Sequence, residues 1–347
     1  MMAAIAIRVE GRCGRITLDR PEALNALTAA MMTALDAALI AWAGNENIDL
    51  VVIDAAGGRA FCSGGDIADL YAQGVAGQFG YGRDFWRDEY RMNARIATYP
   101  KPVVSLMQGF TMGGGVGVGC HASHRVVGET SQIAMPECGI GLVPDIGGSF
   151  LLAQGPGRLG EYLGTTGTRM GPGDALYAGF ADYFVREADW PALIGALVTD
   201  GIDTLPDFLR TAPEGGLAAL QPDIDRHFAG ETLGDIVRSL KTDEGAFAQG
   251  TLKSLGRVSP LAASAAVEMQ HRLGQHATLL QALALEYRYT FRAQDQGDFL
   301  EGIRAAIIDK DRNPRWLHPT IDAVPAYAVA KMLAPLGAEE WTVEEQT

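Results

Sequence analysis

The sequence predicts an α/β fold for the first part of the chain and a mainly helical region for the rest. Two continuous apolar runs, Leu50–Ala55 and Val103–Met107, are typical of strands buried on both faces. Helix-length segments separate these runs, and such alternation is typical of α/β proteins. After about Glu187 the strand signals fade, and Ala, Leu, Asp and Glu dominate. We therefore predict a mixed region over residues 1–187 and a helical C-terminal region over residues 188–347.

The first elements follow from local patterns of apolar and turn residues. The short runs Ile5–Val9 and Arg15–Leu18 lie on either side of two glycines and predict a β-hairpin. Thr28 is a good N-cap for an apolar helix that reaches about Trp42. The stretch Ala72–Gly82 is rich in glycine, which predicts a mobile lid or insertion.

Further along the chain, the same rules predict short strands, several helices and one loop. The predicted strands are Arg125–Gly128 and Gln132–Met135; the predicted loop is Ala212–Asp225; the predicted helices are Arg83–Ala97, one that starts at Gly113–Gly115, one that starts at Ser259–Pro260, Gln281–Phe291 and Phe299–Ile308. Ser259 followed by Pro260 is a strong helix start, because serine caps the helix and proline fits its first position. The acidic stretch Glu339–Gln346 predicts a frayed end.

Composition and charge exclude several classes of function. The 347 residues carry a net charge of −14, with 42 acidic and 28 basic side chains and no basic cluster, which is atypical of a nucleic-acid-binding protein. No apolar run reaches the roughly 18–20 residues that span a bilayer. Four cysteines without a CxxC pair indicate neither a disulfide framework nor a zinc ribbon: Cys13, Cys62, Cys120 and Cys138. We expect a soluble, cytoplasmic protein that binds neither nucleic acid nor membranes.

Two glycine-rich loops follow predicted strands and could bind a ligand through their backbone. The loops contain Ser63–Gly65 and Gly113–Gly115. Because glycine has no Cβ, a ligand can approach such a backbone closely, and two N–H groups aimed at one oxygen stabilise negative charge that develops there. A helix that starts at Gly114 would add its positive N-terminal end. Tight packing of a helix against a sheet explains the same glycines, and the residues alone leave both interpretations open.

Three carboxylates are candidates for acid–base chemistry. Glu137 and Asp145 lie in an otherwise apolar, glycine-rich stretch, where loss of water raises the pKa of a carboxyl group towards useful values. The alternative is that they cap turns or helices, as Asp145 could do ahead of Gly147–Gly148. Glu89 lies on a predicted helix among charged neighbours, so its default interpretation is a solvated, ion-paired face.

Other motifs give weak or negative signals. His121 and His124 could ligate a metal, but no third and fourth ligand are evident nearby, so we expect no metal. Cys62 is more typical of a small buried apolar residue than of a nucleophile. The run Gly115–Gly119 is not a GxGxxG motif, and GxxxxGK[ST] and GxSxG do not occur, so phosphate cradling there and a serine nucleophile elbow lack support.

Four segments together resemble the crotonase, or enoyl-CoA hydratase/isomerase, superfamily. They are Arg20–Leu27 (RPEALNAL), Ala60–Asp66 (AFCSGGD), Lys101–Pro102 and Gly109–Gly115 (GFTMGGG). The resemblance covers about residues 5–187 and implies a spiral of ββα units, an acyl-CoA substrate and a homo-oligomer. It also implies that the backbone N–H groups of Gly65 and Gly114 form an oxyanion hole.

Within that superfamily, further segments resemble the 3-hydroxyisobutyryl-CoA hydrolases. They are Phe85–Tyr90, Thr111–Gly117, Met135–Gly148, Glu301–Ala305, Ile308–Asp311 and Pro314–Trp316. This resemblance implies hydrolysis of a short 3-hydroxyacyl-CoA thioester, as in valine degradation, with Glu137 and Asp145 as catalytic carboxylates. Glu89 and Gly114 would be further substrate contacts. No cofactor is expected, because coenzyme A is part of the substrate.

One position separates hydrolases from hydratases. Hydratases resemble this chain but carry a glutamate three residues after the middle glycine of the trio, where this chain has Gly117. Gly117 has no side chain to position water or manage the α-carbon proton, which favours thioester hydrolysis with Glu137 as general base or as nucleophile. An enoyl-CoA hydratase or isomerase is the nearer alternative, and a catalytically silent acyl-CoA-binding protein is the more distant one.

Overall fold

The computed structural model describes residues 4–343 and confirms the mixed α/β class. Its strands are β1 Ile5–Glu10, β2 Cys13–Leu18, β3 Leu50–Ala55, β4 Ala60–Cys62, β5 Val103–Met107, β6 Phe110–Met112, β7 His124–Val127, β8 Gln132–Ala134 and β9 Tyr183–Phe184. Its helices are α1 Ala29–Ala43, α2 Ile67–Val75, α3 Phe79–Ala97, α4 Gly114–Gly119, α5 Gly148–Ala153, α6 Leu159–Thr166, α7 Pro172–Tyr177, α8 Trp190–Asp200, α9 Leu205–Phe208, α10 Leu217–His227, α11 Leu233–Lys241, α12 Ala246–Leu255, α13 Pro260–Leu273, α14 Leu279–Gln296, α15 Phe299–Ile303 and α16 Ala326–Met332.

The strands form two sheets that the chain visits in turn. The larger sheet has the order β1-β2-β3-β5-β7-β9, and the smaller sheet has the order β4-β6-β8. From β3 to β8 the chain alternates between the two sheets, and each pair of strands is followed by a helix, namely α2, α4 and α5. This repeat is the spiral of ββα units that the resemblance implies.

Local sequence signals account for the first elements. β1 and β2 pair antiparallel, with Ile5 opposite Leu18, as the hairpin prediction requires. The Thr28 side chain accepts a hydrogen bond from the Met31 N–H at 3.2 Å and so caps α1 at the predicted residue. β3 and β5 pair parallel within the larger sheet and are buried, which explains why apolar residues predominate in both, with Asp54 and Ser105 as the exceptions.

The chain groups into two compact units. The sheet unit contains the described residues up to Gly65, together with Arg91–Ala134 and Arg169–Gly216. The helical unit contains Asp66–Tyr90, Met135–Thr168 and the described residues from Leu217 onwards. Each unit is built from three separate stretches of chain. The division at residue 187, which rests on composition, is a different partition and stays a prediction.

The core of the sheet unit lies between the larger sheet and helices α8 and α9. Its buried side chains are at most 9% exposed and come from four strands, those helices and the segment that precedes them: Cys13, Leu50, Val52, Val104, Leu106, Val126, Val185, Trp190, Leu193, Leu197 and Leu205. Because strand residues alternate between two faces, the opposite faces of the same strands are free to pack elsewhere.

Helices α5, α6 and α13 pack against one another in the helical unit. The predicted start of α13 is confirmed, because the Ser259 side chain accepts a hydrogen bond from the Ala262 N–H at 3.0 Å and Pro260 occupies the first helical position. Ala262, Ala263 and Ala266 are buried along α13, and such small side chains allow neighbouring helices to approach closely.

Two predicted loops are largely helical. Residues 72–82, predicted as a mobile lid or insertion, form the end of α2, a short turn and the start of α3, and the lid or insertion stays a prediction. A Cβ atom on Gly74 would lie 2.6 Å from the Leu300 side chain, and one on Gly82 would lie 2.2 Å from the Gln294 side chain. These glycines therefore allow close helix packing. The predicted loop at 212–225 is wrong for its second half, which belongs to α10.

The C-terminal elements differ slightly from the prediction. The predicted helix Phe299–Ile308 is α15 followed by the π-helical turn Arg304–Ile308. The predicted frayed end, Glu339–Gln346, lies partly outside the described residues. Among residues 4–343, no helix has both the length and the apolar character to cross a membrane.

Candidate active site

The three sequence-predicted carboxylates meet a fourth in the helical unit. Glu89 lies on α3, Glu137 begins the 3₁₀ turn Glu137–Ile140, and Asp145 lies in the loop before α5. Glu286 of α14 is the fourth. None is more than 5% exposed. We call these four residues the carboxylate cluster.

Burial raises the pKa of every carboxyl group in the cluster, and mutual repulsion adds to the effect. Burial, followed by the charge of Asp145, holds the pKa values of Glu89 and Glu137 well above their ordinary range. Burial raises the pKa of Asp145 to about 7 and that of Glu286 to about 8. Four neighbouring carboxyl groups in one buried site cannot all be ionised near neutral pH, so some of them are protonated there. Groups of this kind are suited to accept or donate a proton during a reaction.

Asp145 is held by a buried tyrosine. The Tyr90 hydroxyl donates a hydrogen bond to Asp145 Oδ2 at 2.8 Å and lies 3.4 Å from Thr290 Oγ1. Helix α5 has Gly147 as its N-cap, without a capping side chain, so the interpretation of Asp145 as a helix cap is wrong. Its carboxylate is instead oriented by a side chain from α3.

Two oxygens of the cluster have no hydrogen-bond partner within residues 4–343. They are Glu89 Oε1 and Glu137 Oε2, and both are buried. A buried polar oxygen without a partner is costly, so each one in a native protein calls for a specific reason, such as a ligand or a catalytic role. These two oxygens are therefore candidates for direct contact with a substrate or a water molecule.

One of the two interpretations of Glu89 is wrong, and sequence reasoning missed Glu286; the role of Glu89 as a substrate contact stays a prediction. The default interpretation of Glu89 as part of a solvated face is contradicted, because Glu89 is 3% exposed. Its spacing from the buried residues Phe85 and Trp86 places it on the inner stripe of α3. Glu286 likewise lies four residues after the buried Ala282 of α14. An acidic residue within an apolar helical stripe is the signal that could have found both.

The two glycine loops are neighbours within the sheet unit. Gly64 has φ of 115°, a conformation that favours glycine, and a Cβ atom there would lie 3.9 Å from the Gly114 nitrogen. Gly65 forms a parallel bridge with Leu27. Gly114 is the first residue of α4, a position whose N–H has no acceptor inside its own helix. The loops thus lie side by side, and the role of Gly65 and Gly114 as oxyanion donors stays a prediction.

Close packing explains other glycines of α4. A Cβ atom on Gly115 would lie 2.3 Å from the Cys62 carbonyl oxygen, and one on Gly117 would lie 2.5 Å from Asn93 Nδ2. Asn93 is fully buried, and among the described residues its amide has no hydrogen-bond partner. The position at which hydratases carry a glutamate therefore has no room for a side chain while Asn93 keeps its place.

The remaining candidates show no reactive arrangement. Cys62 is fully buried, and its Sγ lies 3.5 Å from the Gly64 nitrogen. His124 stacks on Tyr183. Within the part of the chain that the structure describes, no group of three or more His, Cys, Asp or Glu residues is arranged to hold a metal ion. Whether the protein uses a cofactor is a separate matter, and its absence stays a prediction.

Comparison with known proteins identifies the family. The family model described as Enoyl-CoA hydratase/isomerase matches residues 13–333, which is most of the chain. The chain belongs to the enoyl-CoA hydratase/isomerase family. The expectation drawn from the four sequence segments and from the ββα spiral is thus confirmed at the level of the family.

Several members of the enoyl-CoA hydratase/isomerase family are similar over nearly their whole length. The crystal structure of an enoyl-CoA hydratase from Rhodobacter sphaeroides 2.4.1 is 61% identical, with a TM-score of 0.96, and the match covers 98% of this chain and 100% of that one. A carnitinyl-CoA dehydratase from Mycobacterium thermoresistibile is 37% identical, with a TM-score of 0.94 and 99% of each chain covered. The mitochondrial 3-hydroxyisobutyryl-CoA hydrolase of Danio rerio is 38% identical over 94% of this chain and 88% of that protein.

Proposed function

We propose that this protein hydrolyses the thioester bond of a short 3-hydroxyacyl-CoA of the 3-hydroxyisobutyryl-CoA type. The observation that carries the proposal is its similarity to eight vertebrate 3-hydroxyisobutyryl-CoA hydrolases, which are 35–38% identical over at least 90% of this chain. The carboxylate cluster supports it, because thioester hydrolysis needs a group that activates water or attacks the carbonyl carbon. The products are the free hydroxy acid and coenzyme A.

The proposed step assigns Glu137 the central role. Glu137 either takes a proton from a water that attacks the thioester carbon or attacks that carbon itself and is released by water afterwards. In both routes the C–S bond breaks, and the sulfur of coenzyme A leaves with the electron pair and gains a proton. The unpartnered Oε2 of Glu137 is free to make the contact that either route needs.

Other residues have supporting roles in the proposal. Asp145 orients Glu137 or the 3-hydroxyl of the substrate, and Glu89 holds that hydroxyl or an ordered water through its unpartnered Oε1. The N–H groups of Gly65 and Gly114 bind the thioester carbonyl oxygen, where negative charge develops during attack. Each such donor is worth roughly 3–4 kcal/mol at the transition state.

Hydration of an enoyl-CoA is the second candidate function. It is favoured by the 61% identical enoyl-CoA hydratase structure and by the carnitinyl-CoA dehydratase. Two features of this chain oppose it. Gly117 leaves no side chain where hydratases carry a glutamate, and Asn93 fills the adjacent space. Asp145 provides a second carboxylate that acts on Glu137, at a position where hydratases usually have a small residue.

Thiol release tests the proposal. Purified protein is mixed with 3-hydroxyisobutyryl-CoA and, separately, with crotonyl-CoA, and free thiol and enoyl-thioester absorbance are followed together. We expect thiol from the hydroxyacyl ester and no loss of the crotonyl absorbance. Glu137→Gln should lower turnover by at least about 1,000-fold while acyl-CoA binding persists, because the substitution removes the reacting group and little volume.

A matched variant controls for the general effect of replacing a buried glutamate with glutamine. Glu161→Gln alters another buried glutamate, which pairs with Arg158 and His271 outside the cluster. Its turnover should equal that of the unaltered protein at a temperature at which both are folded. Loss of crotonyl absorbance without thiol would favour the hydratase, and acyl-CoA binding without any turnover would favour a silent binding protein.

The finer cellular assignments belong to the same proposal. A 3-hydroxyisobutyryl-CoA substrate would place the enzyme in valine degradation, and we propose a cytoplasmic location and a homo-oligomeric state. The vertebrate relatives are named as mitochondrial enzymes. Fractionation of the native cells and light scattering on the purified protein test location and assembly independently of the reaction.

A further inference from the structure

Glu286 binds the turn that follows Asp145. Its carboxylate accepts hydrogen bonds from the Gly147 N–H at 2.8 Å and from the Ser149 N–H at 3.0 Å, and it also accepts one from the Ser149 hydroxyl. The side chain comes from the middle of α14 and is completely buried. Three donors from one short segment thus converge on one carboxylate.

The turn held in this way has an unfavourable backbone conformation. Ile146 has φ of 57°, and Gly147 follows with φ of 77°. The left-handed region is rare for a β-branched residue such as isoleucine, and it persists only where the surroundings enforce it. The hydrogen bonds from Gly147 and Ser149 to Glu286 provide that enforcement on the residues directly after Asp145.

Asp145 is therefore fixed from two sides. Tyr90 holds its side chain by the hydroxyl hydrogen bond, and Glu286 holds the backbone that follows it. Thr290 lies one helical turn after Glu286 on α14 and is within 3.4 Å of the Tyr90 hydroxyl. Helix α14 thus supports both the side chain and the backbone of Asp145.

Glu286 also interacts electrostatically with the carboxylates that it supports. Burial and the charge of Asp145 raise the pKa of Glu286 to about 8, and Glu286 is one of the groups that raise the pKa of Glu137. Near neutral pH the Glu286 carboxyl group is therefore mostly uncharged, so its contribution there is the position of the turn that it binds.

We propose that Glu286 is a positioning residue for the reaction, which sets the orientation of Asp145 through the Ile146–Gly147 turn. This inference rests on the proposed hydrolase function. In this role Glu286 touches no substrate and acts through Asp145.

The test compares Glu286→Gln with a matched control. Glutamine keeps the size of the side chain, but its NH₂ group faces one of the donors, so part of the clamp is lost. We expect kcat for 3-hydroxyisobutyryl-CoA to fall on the order of 100-fold with little change in KM, as for a displaced catalytic group. The fall in kcat at an unchanged KM separates positioning from a merely structural role, because a loss of stability alone does not change the kcat of the folded protein.

Glu187→Gln is the control. Glu187 lies in the sheet unit and makes a similar clamp, since it accepts hydrogen bonds from the Thr130 N–H and hydroxyl, each at 2.7 Å. Its kcat and pH–rate profile should match those of the unaltered protein. Ser149→Ala removes the hydroxyl donor and keeps the Glu286 side chain, so its kcat should fall about tenfold, which is less than in Glu286→Gln.

Distinct outcomes separate this inference from the proposed function. If the unaltered protein releases no thiol, the proposed function fails. If the unaltered protein is active and Glu286→Gln keeps its kcat while only its melting temperature falls, Glu286 is structural and the inference is overturned. Should Glu286→Gln not fold, as judged by circular dichroism, Ser149→Ala decides: an unchanged kcat overturns the inference, and a fall in kcat without a rise in KM supports it.

Discussion

Asp145 illustrates at the scale of one residue how a fold prepares a carboxylate for chemistry. Burial raises the pKa of Asp145, because a charged carboxylate is unfavourable away from water. The hydrogen bond that Tyr90 donates lowers this pKa again, because it stabilises the ionised form. The balance raises the pKa of Asp145 to about 7, where small changes alter its charge near neutral pH. Among the described residues, none donates a hydrogen bond to Glu137 Oε2 or to Glu89 Oε1, so the protonation of these two carboxyl groups depends on what binds there.

Tyr90→Phe tests this balance. The substitution removes only the hydroxyl that donates to Asp145, so the pKa of Asp145 should rise further. We expect kcat at neutral pH to fall roughly tenfold, and the acid limb of the pH–rate profile to move to higher pH. The measurement is kcat from pH 5 to pH 9.

Tyr99→Phe is the control for that series. Tyr99 donates to the Leu39 carbonyl oxygen at 2.7 Å in the sheet unit, so its variant should keep the wild-type profile. An acid limb that does not move in Tyr90→Phe would mean that Asp145 is not required in its ionised form.

Helix α4 shows at the scale of one element why a glycine run can be both structural and functional. Its first residue, Gly114, has a free helical N–H position beside the Gly64 loop, as a ligand-binding role requires. Its later residues, Gly115 and Gly117, are glycine because a Cβ atom would collide with Cys62 and Asn93. The two interpretations left open by the sequence therefore apply to different residues of one helix.

The pair Gly117 and Asn93 gives a prediction for this element. Gly117→Ala should destabilise the protein by about 1–3 kcal/mol, because its Cβ would meet Asn93 Nδ2 at 2.5 Å. The double variant Gly117→Ala/Asn93→Ala should recover most of that loss, since alanine at 93 removes the colliding amide. Denaturant unfolding of the four proteins measures the coupling. Additive losses would show that the two residues do not compete for space.

The elements that the sequence predicted correctly depend on local physics. Thr28 and Ser259 cap their helices within three residues, and the run Leu50–Ala55 is apolar because both faces of its strand are buried. Glycine is harder to interpret from sequence, because it occurs both in loops and at close contacts between helices. Gly74 and Gly82 suggest a loop by composition, but they lie in helices where a Cβ atom would collide with a neighbouring side chain.

The candidate site was predictable only in part, because its assembly is tertiary. Glu137 and Asp145 stand out as carboxylates in an apolar stretch, and the family resemblance gives them roles. Glu286 lies 141 positions after Asp145 by residue number, and only folding places its carboxylate on the Gly147 and Ser149 N–H groups. No local sequence pattern predicts such a contact. Helical periodicity could predict only that Glu286 lies on the buried stripe of its helix.

At the scale of the whole molecule, the raised pKa values of the carboxylate cluster make the stability of the fold depend on pH. The folded pKa values of Asp145 and Glu286, about 7 and about 8, exceed the ordinary values of 3.8 and 4.5. The folded state therefore binds protons more tightly than the unfolded state, and the stabilisation is complete below about pH 4 and lost as pH rises through 7 and 8. This contribution opposes the usual acid destabilisation and acts in the neutral range.

We predict that the free energy of unfolding falls between pH 6 and pH 8.5 by on the order of 1–4 kcal/mol. Asp145→Asn should flatten that fall and raise the melting temperature at pH 8.5, because it removes a charge that is costly when folded. Glu161→Gln should keep the wild-type fall, since its charged and polar partners hold the pKa of Glu161 below its usual range despite burial. Differential scanning fluorimetry across this range provides the measurement, and a flat wild-type profile would contradict the prediction.

The most direct test of the hydrolase assignment is the fate of 3-hydroxyisobutyryl-CoA itself. Chromatography of the complete reaction separates free coenzyme A, the hydroxy acid and any unsaturated acyl-CoA that dehydration would form. We predict one free coenzyme A and one hydroxy acid for each thioester consumed, with both products lost in Glu137→Gln. Accumulation of the unsaturated acyl-CoA without free coenzyme A would contradict the assignment and show that the protein acts as a hydratase despite Gly117.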